Sequence, residues 1–370
     1  MKKSSLLLFA FSLFVFACKK DTNTIIKEVP VSYSWSLDSA IKGYDKILYA
    51  SVPLNDSTLA VVTGNLINYV NPNSLNQSIT GAYLVNSTYG LYPPTVTKNV
   101  IASFIDVDHL GIYSTVSPNS IGSFIFSPTY SNSTTSIKGM PPAIYPNQAY
   151  SIVNAKYLLV PTEIDFTSHV ANVAMIQMDT TTHSPDPAGQ LYFTSSKYIS
   201  LKPDTSTIGF SSGNYFSASY FGKFFLSYFT QFYRIDTLGH VKSFGYNPIG
   251  APNGNVSQMF TINNYLFAIN DGSFLISKDE GETWSLFATP GYPYPQLQYM
   301  NVGKDVYAAF KSQIFKVTLN GSSLVVQELD NSGLATNQIT SINKCGKYAF
   351  VTTTSGLYYR DTATFNTLKK

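Results

Sequence analysis

Carboxylate and imidazole side chains are the groups in this chain that could perform acid–base chemistry. Hydrolysis of a glycosidic bond requires two carboxyl groups that converge on one pocket. The acidic residues nearest to predicted strand ends are Asp106, Asp108, Glu163 and Asp165, and no spacing along the chain pairs them. Asp108 and His109 fit a hairpin turn better than a catalytic pair, because Asp is a common turn residue. We therefore assign no catalytic residue from the sequence.

Metal and phosphate chemistry has no local signature. The sequence has four histidines in all, at His109, His169, His183 and His240. They are scattered, and none belongs to a His-x-x-x-His or cysteine-containing spacing typical of zinc sites. The run from Glu163 to His169 lacks the dense acidic loop that calcium usually requires. There is also no glycine-rich phosphate loop and no Gly-x-Ser-x-Gly elbow. We expect neither a metal ion nor a cofactor.

The chain contains two cysteines, Cys18 and Cys345, which excludes a disulfide framework. Cys345 lies in a predicted turn with no histidine near it in the sequence. Reactive cysteines sit in electropositive, partly exposed surroundings. We therefore interpret Cys345 as an inert thiol.

The elements that must position these side chains are short strands. No stretch shows sustained helical periodicity, whereas runs rich in Val, Ile, Tyr, Phe and Thr alternate with turn residues, which indicates an all-β fold. In the C-terminal half one unit recurs, and its second strand opens at Phe224, Tyr265, Val306 and Tyr348, with spacings of 41, 41 and 42 residues. Four antiparallel strands in about 41 residues is the size of a β-propeller blade.

Three earlier units are recognised at Leu59, Leu110 and Tyr157, with longer and less regular spacings. The stretch Thr180–Gly189 is polar and is interpreted as an inserted loop. Together the units predict a β-propeller of about seven four-stranded antiparallel blades over residues 31–370, with six or eight as alternatives. The second strand of each unit is apolar at consecutive positions, which is typical of a strand buried on both faces.

Residues 31–37 alternate strictly between apolar and polar types, which indicates a half-buried strand ahead of the first unit. Propellers commonly close by adding a terminal strand to the blade at the other end. We therefore expect residues 31–37 to form an outer strand beside the last blade, around Asp361–Leu368.

A motif follows the third strand of the Tyr265 unit. Ser277, Asp279, Gly281, Thr283 and Trp284 match the pattern S-x-D-x-G-x-T-W at every defined position. This resembles the Asp-box (BNR-repeat) propellers, which include sialidases, other glycoside hydrolases, sortilin-like receptors and assembly factors. The resemblance implies a propeller fold and a structural motif on the outer rim, away from any active site. We expect Asp279 to accept turn amides, Gly281 to supply an unusual backbone conformation, Thr283 to continue the strand and Trp284 to pack on the hairpin.

A sialidase is the enzyme that this motif most readily suggests. Such enzymes bind the substrate carboxylate with three arginines, whose planar guanidinium groups suit that anion. This chain has only Arg234 and Arg360, and both lie in or beside repeat strands. The sequence therefore argues against a sialidase.

The N-terminus carries a predicted address. Lys2 and Lys3 precede an apolar run of about a dozen residues, which is too short to span a bilayer as a helix and fits a signal peptide. The following Val-Phe-Ala-Cys resembles the lipobox of bacterial lipoproteins. The resemblance implies a signal peptide over residues 1–17, a lipidated Cys18 and a tether over residues 18–30. Lys19-Lys20-Asp21 resembles the export tags of surface lipoproteins in Bacteroidetes-type bacteria.

Composition limits the partners. Only 12% of the residues are charged, the formal net charge is +3 and 44% are hydrophobic. Enough apolar surface is available to exclude a disordered chain, and a nucleic-acid partner would require a basic face. Aromatic residues in the repeats are expected to pack in the core. Tyr292 and Tyr294 lie between two blades and form the candidate binding patch.

The sequence favours a lipid-anchored β-propeller of the bacterial cell envelope, at the outer membrane or cell surface. We expect a non-catalytic binding or scaffold protein whose partner is a protein or a glycan. The alternative is a carbohydrate-active hydrolase or lyase with carboxylates that meet at the propeller mouth. Catalysis is the less favoured interpretation because no catalytic constellation can be assembled from the sequence.

Overall fold

The computed structural model divides the chain into two units, Met1–Tyr33 and Ser34–Lys370. The first unit lies outside the residues that the structure describes. The described residues are 34–39, 41, 47–63, 66–83, 95–96, 100–104, 110–114, 123–126, 151–154, 156–165, 170–179, 192–201, 216–228, 231–245, 254, 256–289, 293–334 and 337–370.

Within these residues, the second unit contains seven four-stranded antiparallel sheets, which we number as blades in chain order. Blades 1 to 3 are built from β2 (Leu48–Asn55), β3 (Thr58–Thr63), β4 (Leu66–Val70) and β5 (Ser78–Tyr83); β6 (Thr95–Val96), β7 (Val100–Phe104), β8 (Leu110–Ser114) and β9 (Ser123–Phe126); and β10 (Ser151–Val153), β11 (Tyr157–Asp165), β12 (Val170–Asp179) and β13 (Tyr192–Leu201).

Blades 4 to 6 follow the same order along the chain. They are built from β14 (Phe216–Tyr220), β15 (Lys223–Tyr228), β16 (Gln231–Ile235) and β17 (Val241–Gly245); β18 (Val256–Ile262), β19 (Tyr265–Asn270), β20 (Ser273–Ser277) and β21 (Ser285–Ala288); and β22 (Gln298–Val302), β23 (Asp305–Phe310), β24 (Gln313–Asn320) and β25 (Ser323–Leu329). Blade 7 combines β26 (Ile339–Cys345), β27 (Tyr348–Thr353) and β28 (Gly356–Asp361) with the N-terminal β1 (Ser36–Asp38).

The predicted all-β propeller is therefore confirmed, and its blade count lies within the expected range. In six of the seven units, the residue predicted to open the second strand lies in that strand. The anchor at Leu110 is wrong, because Leu110 opens the third strand of blade 2, and the second strand begins at Val100. Val100 lies 41 residues after Leu59, so the regular spacing extends to this part of the chain.

The second strands hold the core. In β3, β19 and β27 the first residue is half-buried and the next five are all buried. A strand is buried on both faces when a neighbouring sheet covers each of them. The observed pattern therefore confirms the prediction that these strands lie between adjacent blades, and it explains why so few charged residues occur in the chain.

Repetition of one strand order gives the ring two distinct faces. First strands contact one another in most pairs of neighbouring blades, including β26 with β2, which brings blade 7 against blade 1. Because the blades are antiparallel, turns from first to second and from third to fourth strands lie on one face, called here the hairpin face. The opposite face, called the connection face, carries the second-to-third turns and the links between blades.

Blade 7 closes the ring with β1, which pairs antiparallel with β28, so that Leu37 lies opposite Tyr358. The prediction of an N-terminal outer strand on the last blade is therefore confirmed, but two details are wrong. The strand covers Ser36–Asp38 and pairs with β28 rather than with Asp361–Leu368. Leu37 is 54% exposed while Asp38 is only 3% exposed, so the apolar alternation does not extend into this strand.

Trp35 and the C-terminal tail supply the packing around β1, which explains why the predicted alternation of buried and exposed residues does not extend through Leu37 and Asp38. Trp35 is 2% exposed, and its ring meets Phe365 edge-on with the centroids 5.6 Å apart. Its indole Nε1 donates to the backbone oxygen of Asp330 at 3.1 Å. Phe365 ends helix α1 (Thr362–Phe365), after which Leu368 bridges to Leu329 at the end of β25.

Candidate functional site

The segment Ser277–Trp284 forms a closed turn between β20 and β21 on the hairpin face. Asp279 accepts hydrogen bonds from the backbone N–H of Thr283 at 2.9 Å and from its hydroxyl at 2.6 Å. The hydroxyl of Ser277 donates to Asp279 at 2.8 Å and also accepts the backbone N–H of Gly281 at 2.8 Å. Burial by itself raises the pKa of Asp279, but these hydrogen bonds outweigh it and lower the pKa to about 2.

The turn is fitted against the preceding blade. Gly281 has a φ of +83°, and a Cβ placed there would collide with the ring of Phe225 in blade 4. Trp284 packs edge-on against Phe225 and Phe232, with ring centroids 6.3 and 5.1 Å apart. Thr283 lies before β21 rather than in it, so the expectation that it continues the strand is wrong. Its side chain is needed for the hydrogen bond to Asp279 instead.

Ion pairs join the same turn to blade 4. The guanidinium of Arg234 and the ammonium of Lys242 both bind the carboxylate of Glu282. Lys223 binds Glu280 at 3.2 Å. Hydrogen bonds from Arg234 and Lys242 hold the pKa of Glu282 below its usual value. Surface pairs contribute little singly, and their significance here is that they orient one blade against the next.

Blade 4 repeats this arrangement without the full motif. Asp236 accepts the backbone N–H groups of Leu238 and His240, each at 2.9 Å. Gly239 has the same φ as Gly281, and a Cβ there would meet the side chain of Lys197 in blade 3. Lys197 also donates to the backbone oxygen of Leu238 at 2.6 Å. In both blade 4 and blade 5, the turn between the third and fourth strands therefore packs against the preceding blade.

The carboxylate of Asp279 predicts a pH-dependent contribution to stability. Its folded pKa is about 2, below the ordinary value of 3.8, so the carboxylate stabilises the fold above about pH 4. That contribution is lost as the pH falls towards 2. We expect the difference in unfolding free energy between the wild type and Asp279→Asn to be constant above about pH 5 and to shrink below it.

Urea unfolding at a series of pH values between 2 and 7 measures this difference. Other carboxylates titrate equally in both proteins and cancel. A difference that stays constant down to pH 2 would show that Asp279 is not held by these hydrogen bonds.

Polar side chains join the first strands of neighbouring blades around the axis. In blade 6, the amide of Asn301 accepts the backbone N–H of Thr261 at 3.0 Å and donates to its oxygen at 2.8 Å. In blade 5, Gln258 makes the reciprocal pair, accepting from Tyr299 at 2.9 Å and donating to Leu297 at 2.8 Å. Each amide substitutes for a missing backbone partner between blades.

The same joining occurs where the ring closes. Asn343 of blade 7 donates to the backbone oxygen of Ser51 in blade 1 at 2.7 Å. The hydroxyls of Ser51 and Ser341 are 2.9 Å apart, and those of Ser151 and Ser217 join blades 3 and 4 at 2.5 Å. These neutral polar groups hydrogen-bond to one another across the blade boundaries.

Both arginines also serve the framework. Arg234 pairs with Glu282 across blades 4 and 5, as described above. Arg360 is 6% exposed and donates from a guanidinium nitrogen to the backbone oxygen of Asp330 at 3.0 Å, which joins β28 to the link after blade 6.

The candidate binding patch is described only in part. Tyr294 is 38% exposed and opens a 3₁₀ turn (Tyr294–Gln296) in the link between blades 5 and 6, on the connection face. Its backbone oxygen accepts the hydroxyl of Tyr299 at 3.0 Å. Tyr292 lies outside the described residues, as does Cys18.

The described acidic candidates and the cysteine lie in different blades, with Glu163 and Asp165 in blade 3 and Cys345 in blade 7. Glu163 and Asp165 lie at the connection-face end of β11, whereas Asp106 and Asp108 are outside the described residues. Cys345 is buried and its Sγ lies 3.2 Å from the backbone oxygen of Asn55. Burial raises the pKa of this thiol to about 11, which keeps it protonated at neutral pH.

Among the residues described by the structure, no group of three or more His, Cys, Asp or Glu side chains could hold a metal ion. In the same part of the chain, no helix has the length and hydropathy required to span a bilayer.

Sequence reasoning missed the contacts between blades. Nothing in the sequence pairs Gln258 with Leu297, or Arg234 with Glu282, because these residues meet only after the blades are arranged. The available signal was the spacing, since Thr261 and Asn301 are 40 residues apart and Gln258 and Tyr299 are 41 apart. One blade repeat separates the two members of each pair.

Comparison with solved structures agrees with the fold. A streptogramin B lyase structure matches with a TM-score of 0.51 at 11% identity, over 88% of this chain and 97% of that one. Virginiamycin B lyase from Staphylococcus aureus matches with a TM-score of 0.50 at 12% identity, over 89% and 98%. The extracellular domain of a protein described as a hybrid two component system from B. thetaiotaomicron matches with a TM-score of 0.50 at 10% identity, over 89% of this chain and 39% of that chain.

No family model and no curated protein matches the sequence. At these identities the solved structures show the fold alone: the chain is a β-propeller protein.

Proposed function

We propose that this chain is a lipid-anchored, non-catalytic binding or scaffold protein of the bacterial cell envelope, at the outer membrane or cell surface, with a protein or glycan as its partner. The lipid on Cys18 holds the protein at the membrane, and residues 18–30 are the tether that carries the propeller. Several acyl chains give stable anchoring where a single chain is marginal.

The observation that carries the binding role is the use of polar side chains between blades. Asn301, Gln258 and Asn343 bond to the backbone of the neighbouring blade, and both arginines join adjacent parts of the ring. These groups build a rigid frame. Recognition then falls to the turns and links at the two faces, which is how rigid scaffolds present binding residues.

The connection face is the first candidate for the partner. Tyr294 is exposed there, and aromatic side chains with one polar end are enriched in binding sites. The sequence places Tyr292 in the same link. A tyrosine pair on a rigid ring suits either a sugar ring or the side chains of a protein.

The second candidate function is a carbohydrate-active hydrolase or lyase. The observation that favours it is the position of Glu163 and Asp165 at the connection-face end of β11. The solved structures named as lyases share the fold at 11–12% identity. Turnover that is lost in Glu163→Gln or Asp165→Asn would establish this alternative.

The proposal is tested by comparing the wild type with Cys18→Ser after expression in a bacterial host with an outer membrane. The wild type is expected to sediment with the membranes and to form a crosslinked product with an envelope component. Cys18→Ser is expected in the soluble fraction, because the sulfur that takes the lipid is absent. Membrane fractionation, followed by crosslinking and mass spectrometry, measures both.

The two readouts test separate parts of the proposal. Retention of Cys18→Ser in the membrane pellet would contradict the lipid anchor. Failure of the membrane-bound wild type to crosslink to any envelope component would contradict the binding role. Cys345→Ser is the matched control, because its buried thiol takes no part in anchoring, and it should behave as the wild type.

A further inference from the structure

Lysines recur on the hairpin face. Five consecutive blades, 3 to 7, each present a lysine in or directly beside a turn of this face: Lys156, Lys223, Lys278, Lys304 and Lys347. Lys156, Lys304 and Lys347 lie in the turn between the first and second strands. Lys223 opens β15 directly after that turn, and Lys278 lies in the turn after β20. Because the first strands surround the axis, the first-to-second turns surround its mouth.

Three of these lysines lie over a tyrosine ring. The ammonium groups of Lys156, Lys278 and Lys347 are 5.8, 5.8 and 5.2 Å from the ring centroids of Tyr157, Tyr265 and Tyr348. Each tyrosine is the half-buried first residue of a second strand, in blades 3, 5 and 7. A cation–π contact favours one position of a flexible lysine and lowers the entropy lost on binding.

Most of these charges are available to a ligand. Lys223 pairs with Glu280, whereas Lys156, Lys304 and Lys347 are exposed and form no ion pair within the described residues. The acidic residue at the equivalent turn of blade 1 is Asp56. The mouth therefore carries the exposed ammonium groups of Lys156, Lys304 and Lys347, with a tyrosine ring beside Lys156 and another beside Lys347.

We propose that the hairpin-face mouth binds an acidic polysaccharide, a chain of carboxylated sugar rings. This rests on the proposed binding function and adds a second binding surface, on the face opposite Tyr294, for an acidic glycan. Lysine ammonium groups pair with carboxylates, and tyrosine edges offer an apolar surface to pyranose rings. The spacing of the charges around a mouth suits a polymer that repeats its charge. A membrane surface fits less well, since the exposed large hydrophobic side chains of the described residues lie outside the first-to-second turns.

The probe is polygalacturonate, with its methyl-esterified form as the uncharged equivalent, and the protein is the full lipidated chain in detergent. A Lys156→Gln/Lys347→Gln double variant removes two of the tyrosine-held charges. The matched control is Lys311→Gln/Lys370→Gln, since both residues are exposed and Lys311 lies over Phe310 on the opposite face. Affinity electrophoresis at low and high salt measures binding.

We expect the double variant to bind at least about 10-fold more weakly at low salt, the control to change less than about 2-fold, and high salt to weaken wild-type binding. Methyl-esterified polymer should not bind. Equal loss in both double variants, equal binding of the esterified polymer, or no binding of polygalacturonate would overturn the proposal. So would lysine-dependent binding of phosphatidylglycerol vesicles without binding of the polymer. An envelope partner captured in the crosslinking experiment alongside a negative polymer result would refute this inference and leave the proposed function intact.

Discussion

Trp35→Ala is expected to lower the free energy of unfolding by about 3–5 kcal/mol, the range for removal of a large aromatic side chain from a core. Trp35 is buried against Phe365 in the C-terminal helix, and its indole Nε1 donates to the backbone oxygen of Asp330. Its loss would leave a cavity where β1 completes blade 7. Chemical denaturation of the variant and the wild type measures the difference.

Leu37→Ala is the matched control, because Leu37 lies two residues further along the chain, in β1, and is 54% exposed. Its effect should stay within about 0.5 kcal/mol, as for other surface substitutions. Equal destabilisation by the two variants, or none by either, would contradict a ring closed through Trp35.

Gly281→Ala is expected to lower the free energy of unfolding by an amount second only to that of Trp35→Ala. Two costs combine at this position: a φ of +83°, which disfavours a side chain by about 1–2 kcal/mol, and a collision between the new Cβ and the ring of Phe225. Overpacking of this kind typically costs about 1–3 kcal/mol. The sum is a loss of about 2–5 kcal/mol.

Gly272→Ala separates the two costs. Gly272 has a φ of +82° but nothing within 4 Å of an added Cβ, so only the backbone cost applies. We expect about 1–2 kcal/mol there, measured by the same denaturation experiment. If the two alanine variants lose the same stability, the turn Ser277–Trp284 does not pack against Phe225, and the contact assigned to it between blades 4 and 5 is wrong.

The blade repeat of about 41 residues was the feature of the fold that could be predicted most clearly from the sequence. Tyr265 and Tyr348 open second strands as expected, because each blade must bury the same strand on both faces and so repeats the same apolar run. Blade 2 was harder. Leu110 begins a run that resembles a second strand, and only the sheet pairing shows that Val100 occupies that place.

Register and contacts between blades could not be predicted. The alternation over residues 31–37 indicated a strand, but Trp35 is buried by the C-terminal helix and Asp38 by the blade, which are contacts that no local pattern records. The partners that residues of the turn Ser277–Trp284 find in other blades could not be predicted either. Asp279 binds within its own turn, as a local motif can predict, whereas Glu282 meets Arg234 from 48 residues earlier.

Closure of the ring depends on the pairing of the N-terminal strand β1 with β28 of the last blade. Amide hydrogen exchange, read on peptides that cover residues 34–39 and 356–361, tests it directly in the wild type and in Trp35→Ala. We expect Ser36–Asp38 to exchange far more slowly than a free chain in the wild type, since β1 is paired with β28, and we expect Trp35→Ala to remove this protection. Free-chain exchange of residues 36–38 in the wild type, with β28 still protected, would contradict it.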